Sequence, residues 1–473
     1  MRIGKVKNYF VIQFYKFIVF IVTEKVYFVN QVYKICFSGC FLKKTCVYWF
    51  CMNMTVTPKL IEQQNQNNII SYVERGRISR AEIAKQTGLS RTTVSNACSR
   101  LLDLHLVQEE VLPEESVLSR GRPGTPLSLT EDCWYAAGAT LIDRELLFVL
   151  LRLSGKVACQ FSLPLKDLGP ETYLQTLAEG FARILHMCPD RLLPCLGVGS
   201  PGLINNGKVL HASDMGWSDL DISGYLQEQL GIKAEVINRH WASCLCEYNH
   251  LSVGSMIYVG ISTGIAAAII ADGKLFTGAY HSAGEIGHTV VCPNGPICTC
   301  GRRGCLHAMS SETFIVRHVE EQYQHSRGPL FDKDPLWDYF SAHETLPIEN
   351  ICQAARQGHP LAQNMLEQAA LYLGLSISNL ASMFNPECVV LGGSLVEHGG
   401  PKFVRHIFDS VHQYSSIDTM CAVKFLTWSQ GRISGAVGAA RLVLDRKIEL
   451  AAQALKSHTP SEQNKPQSSI DRS

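Results

Sequence analysis

A chain of 473 residues has room for two or three domains with sizeable cores, and 43 basic against 42 acidic side chains leave a formal charge of +1. That balance excludes a protein drawn to nucleic acid or to an anionic membrane by overall charge, so any basic surface must be local. The 18 cysteines are scattered through apolar stretches such as "ASCLCE" and "PECVVLGG", with no export signal of normal form ahead of them, and most read as small buried hydrophobes of a reducing cytoplasm.

Residues 1–51 do not resemble the rest. "YFVIQFYKFIVFIV" (9–22) is apolar but interrupted by Gln13 and Lys16, a marginal match to the run of about 20 residues that a membrane helix needs. It also lacks a clean small-residue cleavage site. It reads either as a membrane anchor or as translated upstream sequence ahead of a native start at Met52 or Met54. The mixture of Phe, Tyr, Ile, Val and Lys without an amphipathic period favours the second reading, in which 1–53 is a non-native or disordered extension and the protein has no membrane partner.

The first module is expected over 54–130. "QQNQNNIISYVERG" reads as a helix with Ile69, Ile70 and Val73 inward. Ser79 and Glu82 have the spacing of a capping box, Gly88 suits a turn, and Ser90 is placed to cap the next helix. In that helix Val94, Ala97 and Leu101 share an apolar face. Arg91, Thr92, Thr93, Ser95, Asn96 and Arg100 lie on the other. Short helix, turn and polar-faced helix form the helix-turn-helix pattern, whose second helix enters the DNA major groove and reads base edges. "LVQEEVLP" and "TPLSLT" then read as the two strands of a wing. Arg120 and Arg122 in the loop "SRGRPG" (119–124) suit phosphates or a narrow minor groove.

From 131 to 456 strand-like and helix-like runs alternate, which makes an α/β body. The clearest strands are "LLFVLLRL", "CLGVGSPGLI", "AEVINR", "MIYVGISTGIAAAII" and "ECVVLGG"; the clearest helices are "TYLQTLAEGFARILHM", "ISGYLQEQL" and "AQNMLEQAALYLGLSISNLASMF". The polar stretch 457–473 is expected to be a disordered tail. Within the body, "CPNGPICTCGRRGCLHAMS" (292–310) sets three cysteines close together, with His288 upstream, and raises the question of a metal site.

"GEIGHT" followed by "CTCGRRGCL" resembles the ROK family, which contains sugar kinases and sugar-responsive transcriptional repressors; the resemblance runs from about 60 to 450. It implies a two-lobed actin/hexokinase-like body behind the winged helix-turn-helix, the arrangement of the repressor branch. It also implies a structural zinc held by His288, Cys298, Cys300 and Cys305. The chemistry agrees, because one imidazole and three thiolates close a tetrahedral site and leave no open position for water. Cys292 is a spare.

The family's kinases use an Asn-Asp pair whose Asp is the general base for the sugar hydroxyl. Here Asn238 matches the Asn but Arg239 holds the Asp position, and a guanidinium cannot accept a proton. Trp241 puts a large ring where the family has something smaller. Of the family's phosphate turns, "TLIDR" (140–144) has lost its Asp to Thr140 and both its glycines. "STGIAAA" (262–268) keeps only Gly264, and "LGGS" (391–394) is intact. Phosphotransfer is therefore expected to be absent.

The resemblance places a ligand against Gly202 in the loop "GSPGLIN" and against Asn238, Arg239, Glu285, His288 and His307. At Arg239 and His307 the family's acid has become a basic-type residue. Either ligand binding has decayed, or the pocket has turned toward an acidic or phosphorylated sugar, with Arg239 and His307 pairing the anion. The reading is a transcriptional regulator, a repressor of carbohydrate genes, with a DNA operator and a sugar or sugar-derivative effector as partners and a homodimer or homotetramer as its form. The alternatives are a sugar kinase with a DNA-binding head and a regulator controlled by a protein partner.

Overall fold

The computed structural model describes residues 57–110, 125–188, 190–251, 253–325, 334–343, 345–415 and 422–457. The expectations for 1–53, for Arg120 and Arg122 in the wing loop, and for the tail from 458 onward lie outside the described residues. The chain divides into two units, Met1–Gln64 and Asn65–Ser473, and everything below concerns the second apart from the first turns of α1.

The head contains helix α1 (Pro58–Glu74), strand β1 (Ile78–Ser79), helices α2 (Arg80–Thr87) and α3 (Arg91–Asp103), and strands β2 (Val107–Glu109) and β3 (Pro126–Leu129). Its local chemistry is that of the sequence. Ser79 Oγ accepts from the Glu82 N–H, and Glu82 Oε2 accepts from the Ser79 N–H at 2.9 Å, closing the capping box. Gly88 ends α2 at φ 69°, and Ser90 Oγ accepts from the Thr93 N–H at 3.0 Å to start α3. The wing sheet has three strands rather than the expected two, in the order β1-β3-β2. Two residues are too few to show a strand period, but Ile78 is buried and pairs with Leu127, which fixes β1 on the sheet edge.

The first lobe of the body contains β4 (Tyr135–Ile142), β5 (Glu145–Arg152), β6 (Val157–Pro164), α4 (Pro170–Met187) and β7 (Leu192–Ser200). It continues through β8 (Leu203–Asn205), β9 (Lys208–Ala212), β10 (Trp217–Asp221), α5 (Ile222–Leu230) and β11 (Ala234–Asn238). Its main sheet has the order β11-β7-β4-β5-β6: an antiparallel meander extended by two parallel strands. β4 and β5 are buried on both faces, whereas β6 alternates, as an edge strand should.

The second lobe repeats the plan. α6 (Arg239–His250) leads to β12 (Met256–Ile261), β13 (Ile265–Ala271) and β14 (Lys274–Leu275). Then come α7 (Leu306–Ser310), α8 (Glu312–His325), α9 (Pro335–His343), α10 (Ile348–Arg356), α11 (Pro360–Phe384), β15 (Cys388–Gly392), α12 (Ser394–Tyr414) and β16 (Lys424–Thr427). The sheet order is β14-β13-β12-β15-β16, again a meander followed by parallel strands. Helices α13 (Ser434–Asp445) and α14 (Lys447–Ser457) close the chain, α13 packing on α6, β4 and β7. Two such halves around a cleft make the actin/hexokinase-like body.

Two strand expectations need correction. "MIYVGISTGIAAAII" is a hairpin of β12 and β13, turning where the Ser262 N–H donates to Gly264 O at 3.0 Å. A continuous apolar run does not reveal such a turn when both arms are buried. "CLGVGSPGLI" breaks at Pro201, which has no N–H for a ladder, and at Gly202, whose φ is 87°.

The head is not an isolated bead. A single apolar core joins Ile69, Leu101 and Leu106 of the head to Trp134, Val149, Val443 and Leu450 of the body. The Trp134 indole N–H donates to Leu104 O, the C-cap of α3, at 2.8 Å, and Lys447 pairs with Glu74 at 2.7 Å. Among the described residues no helix is long and apolar enough to cross a membrane.

Candidate functional site

A cavity of about 270 Å³ lies between the lobes. All six ligand positions expected from the sequence line it: Gly202, Asn238, Arg239, Glu285, His288 and His307. The corner between β11 and α6 sets its floor. Asn238 caps α6, its Oδ1 accepting from the His240 N–H at 2.9 Å, while its Nδ2 donates to Gly202 O at 2.9 Å. Gly202 is required there, since a Cβ would stand 2.5 Å from His211 O. His240 sits behind this corner, where burial first and the Arg239 charge second push its pKa down to about 3, so its imidazole is neutral.

Sequence reasoning missed His211, Ser213, Met215 and Ser282, which also line the cavity. His211 Nε2 and Ser213 Oγ are 3.0 Å apart. The β8–β9 register, in which Leu203 faces His211, brings them opposite the "GSPGLIN" bend. No motif marks them, and only that pairing would have found them.

Arg239 is 9% exposed, and its guanidinium is already engaged. Nη1 donates to Leu141 O at 3.3 Å and Nη2 to Ser262 Oγ at 3.4 Å. Trp241 does not line the cavity; its ring is buried in the core with Met256, Tyr258 and Ile270. Thr140, in the first phosphate-type turn, is buried and donates its hydroxyl to Gly199 O at 3.1 Å.

The ligand atoms of His288, Cys298, Cys300 and Cys305 all lie within 4.8 Å of one another. Cys298 Sγ is 3.6 Å from His288 Nδ1, and Cys300 Sγ is 3.7 Å from Cys305 Sγ. A tetrahedron with Zn–S bonds of ~2.3 Å has edges of about 3.8 Å, so the donor set fits a zinc ion in number, chemistry and spacing. Burial pushes the Cys305 thiol up to about 12. At Cys300 burial acts in the same direction, but hydrogen bonds led by the Arg302 backbone bring the thiol down to about 6. Gly304 makes the loop possible: a Cβ there would fall 1.5 Å from Cys292 O. Cys292 stands outside the cluster and hydrogen-bonds Tyr372. Because Cys305 is the N-cap of α7, the cluster also fixes His307 two residues further on, its ring 5.9 Å from that of His288. The cluster thus contributes His288 to the cavity wall and holds His307 beside it.

In the head, Arg91, Thr92, Asn96 and Arg100 are exposed on α3, and Val94, Ala97, Cys98 and Leu101 are buried. Thr93 and Ser95 are half-buried, and the Thr93 hydroxyl lies 2.8 Å from Ser90 Oγ, as part of the cap. The exposed face therefore rests mainly on the first four.

Comparison with known proteins follows the same division. Residues 63–108 match a winged helix-turn-helix DNA-binding family. The xylose repressor of Bacillus subtilis (strain 168) is 25% identical over 402 residues, covering 82% of this chain and 97% of its own length. The glucokinase of Halalkalibacterium halodurans is 28% identical over 323 residues, covering 66% of this chain and 95% of its own. The crystal structure of a ROK family transcriptional regulator, a homologue of the Escherichia coli Mlc protein, shares the fold with a TM-score of 0.70 at 23% identity, over 84% of this chain and 99% of that one. Residues 156–446, more than half of the sequence and most of both lobes, match the ROK family, and the chain belongs to it.

Proposed function

We propose that this protein is a DNA-binding transcriptional regulator, a repressor of carbohydrate uptake or catabolism genes, whose two-lobed body responds to a sugar or sugar derivative. The observation that carries the reading is the union, in one chain, of a helix with an exposed polar face and a small cavity lined by all six expected ligand positions. The cavity falls just below the range for drug-sized ligand sites, about 300–1,000 Å³, which suits a ligand as small as a monosaccharide. A ligand that binds one arrangement of the lobes better than another shifts the population of that arrangement. The apolar core shared by the first lobe and α3 gives the shift a route to the DNA-reading surface.

In this reading 54–130 is the DNA-binding domain, 131–456 is the sensor, and the protein works in the cytoplasm on an operator. Arg91, Thr92, Asn96 and Arg100, with Thr93 and Ser95 beside them, contact DNA. His288, Cys298, Cys300 and Cys305 would hold a structural zinc that stiffens the cavity wall. The functional form is a homodimer or homotetramer, so the operator is palindromic. Phosphotransfer is absent, because Arg239 supplies no base. The rival reading, a sugar kinase carrying a DNA-binding head, draws on the glucokinase similarity over the body.

A panel of monosaccharides and their phosphates, scored by thermal shift and then by release from operator DNA, tests the proposal. One sugar that stabilises the protein and releases DNA supports it. Sugar-dependent turnover of ATP would establish the kinase reading instead.

A further inference from the structure

The three turns that correspond to phosphate turns, 140–144, 262–268 and 391–394, are joined in the fold by two buried residues of the chain itself, Arg239 and Glu312. Arg239 joins the first to the second: Nη1 donates to Leu141 O, at the end of strand β4 in the first lobe, and Nη2 donates to Ser262 Oγ in the second. Glu312 joins the second to the third. Its N–H donates to Ser262 O at 3.2 Å, and its Oε1 accepts from Ser394 Oγ at 2.5 Å. Arg239 and Glu312 are 9% and 4% exposed. Burial, with Asp143 and Glu349, pushes the Glu312 carboxyl up to about 7, and the Ser394 hydrogen bond and the Arg239 charge across the gap pull it partway back. Asp143, at the tip of the first turn, is held by Arg432 at 3.2 Å, and the same guanidinium nitrogen reaches Glu145 at 3.3 Å.

The placement of these charges has a physical meaning. The first turn of a helix attracts an anion through its free N–H groups and its dipole. Ser394 is the first residue of α12, and the group beside it is the Glu312 carboxyl, an anion once it ionises above about pH 7. Buried charges persist in a fold when they are paired or hydrogen-bonded, and here each does this across an element boundary.

We propose that Arg239 and Glu312 form an internal clamp at the phosphate end of the cleft: Arg239 ties the two lobes together, and Glu312 sets its carboxyl at the start of α12 where a nucleotide phosphate would sit, while the sugar-sized end stays open. The clamp itself follows from the geometry. Its consequence, that a sugar alone can set the lobe arrangement with no nucleotide present, rests on the function proposed above.

Hydrogen–deuterium exchange on the full chain tests the clamp without DNA or sugar, so it can fail while the regulator reading stands, and the reverse. Arg239→Gln is expected to lower amide protection about tenfold or more in both the 140–144 and the 262–264 segments, the loss of a hydrogen bond from a charged donor. Arg239→Lys should recover part of the protection. Ser262→Ala, which removes one hydroxyl, should loosen the same two segments less, and it decides the matter alone if Arg239→Gln does not fold. A side chain that merely supports one lobe would loosen that lobe only. Loosening confined to one segment, or absent from both, overturns the clamp.

Discussion

Glu312→Gln is expected to flatten the pH dependence of stability near neutrality. Burial pushes the Glu312 carboxyl up to about 7 from its ordinary 4.5, against the opposing pull of Ser394 and Arg239 and with a further push from Asp143 and Glu349. Below pH 4.5 the folded and unfolded chains both hold the proton. Between 4.5 and about 7 the unfolded chain releases it while the folded chain keeps it, so stability falls as pH rises. The difference between about 7 and 4.5, at ~1.4 kcal/mol for each pH unit, comes to about 3 kcal/mol. Glutamine keeps the shape and can still accept from Ser394 Oγ, but it does not titrate. Urea unfolding of both proteins at pH 4, 5, 6, 7 and 8 should therefore show the variant gaining about 3 kcal/mol on the parent across the series. Titrations of groups common to both proteins cancel in the comparison. Parallel profiles would refute the reasoning, because they would mean that Glu312 titrates alike in the folded and unfolded chains.

Other outcomes follow from the geometry and, for the wing, from the sequence. Metal analysis of the purified protein should find about one zinc per chain, and Cys300→Ser should lose it and lower the melting temperature, since metal binding at such a cluster is folding energy; a zinc-free folded protein would remove the assignment. Asn96→Ala should relax preference among operator variants, whereas Arg122→Ala should weaken all DNA alike and flatten the salt dependence by about 0.9 in slope; equal losses on operator and random DNA for Asn96→Ala would show the reading surface to be misplaced. Arg239→Asp should not yield sugar phosphorylation, because the turns at 140–144 and 262–268 remain altered; turnover by this variant would show that the base was the one missing part. His211→Ala and Ser213→Ala should weaken effector-driven release at least about tenfold, as expected for lost polar contacts to a ligand, with unliganded operator affinity unchanged; an unaltered dose response would clear the pair of a ligand role.

Much of this was legible in the sequence because the signals are local. The Ser79–Glu82 capping box, the Ser90 cap and the apolar face of α3 each span a few residues, and each forms as read. The six ligand positions were legible through family motifs and fall on one cavity. What escaped depends on distant partners. β1 is a strand only because Leu127 lies beside Ile78. The His211–Ser213 wall depends on a hairpin register. Arg239 lines the cavity as expected, but its partners in the fold, Leu141 O and Ser262 Oγ, are ones that no spacing in the chain announces. The large ring of Trp241, which stands where the family has something smaller, packs into the core on its face of α6.

The central claim, that one chain reads DNA and releases it on sensing a sugar, is tested most directly by selecting bound sequences from a random DNA pool, with and without each monosaccharide of the panel. The account expects enrichment of one palindromic sequence and loss of that enrichment with a particular sugar. A pool that shows no enrichment under any condition would contradict the DNA-reading role, and enrichment indifferent to every sugar and sugar phosphate would contradict the sensor.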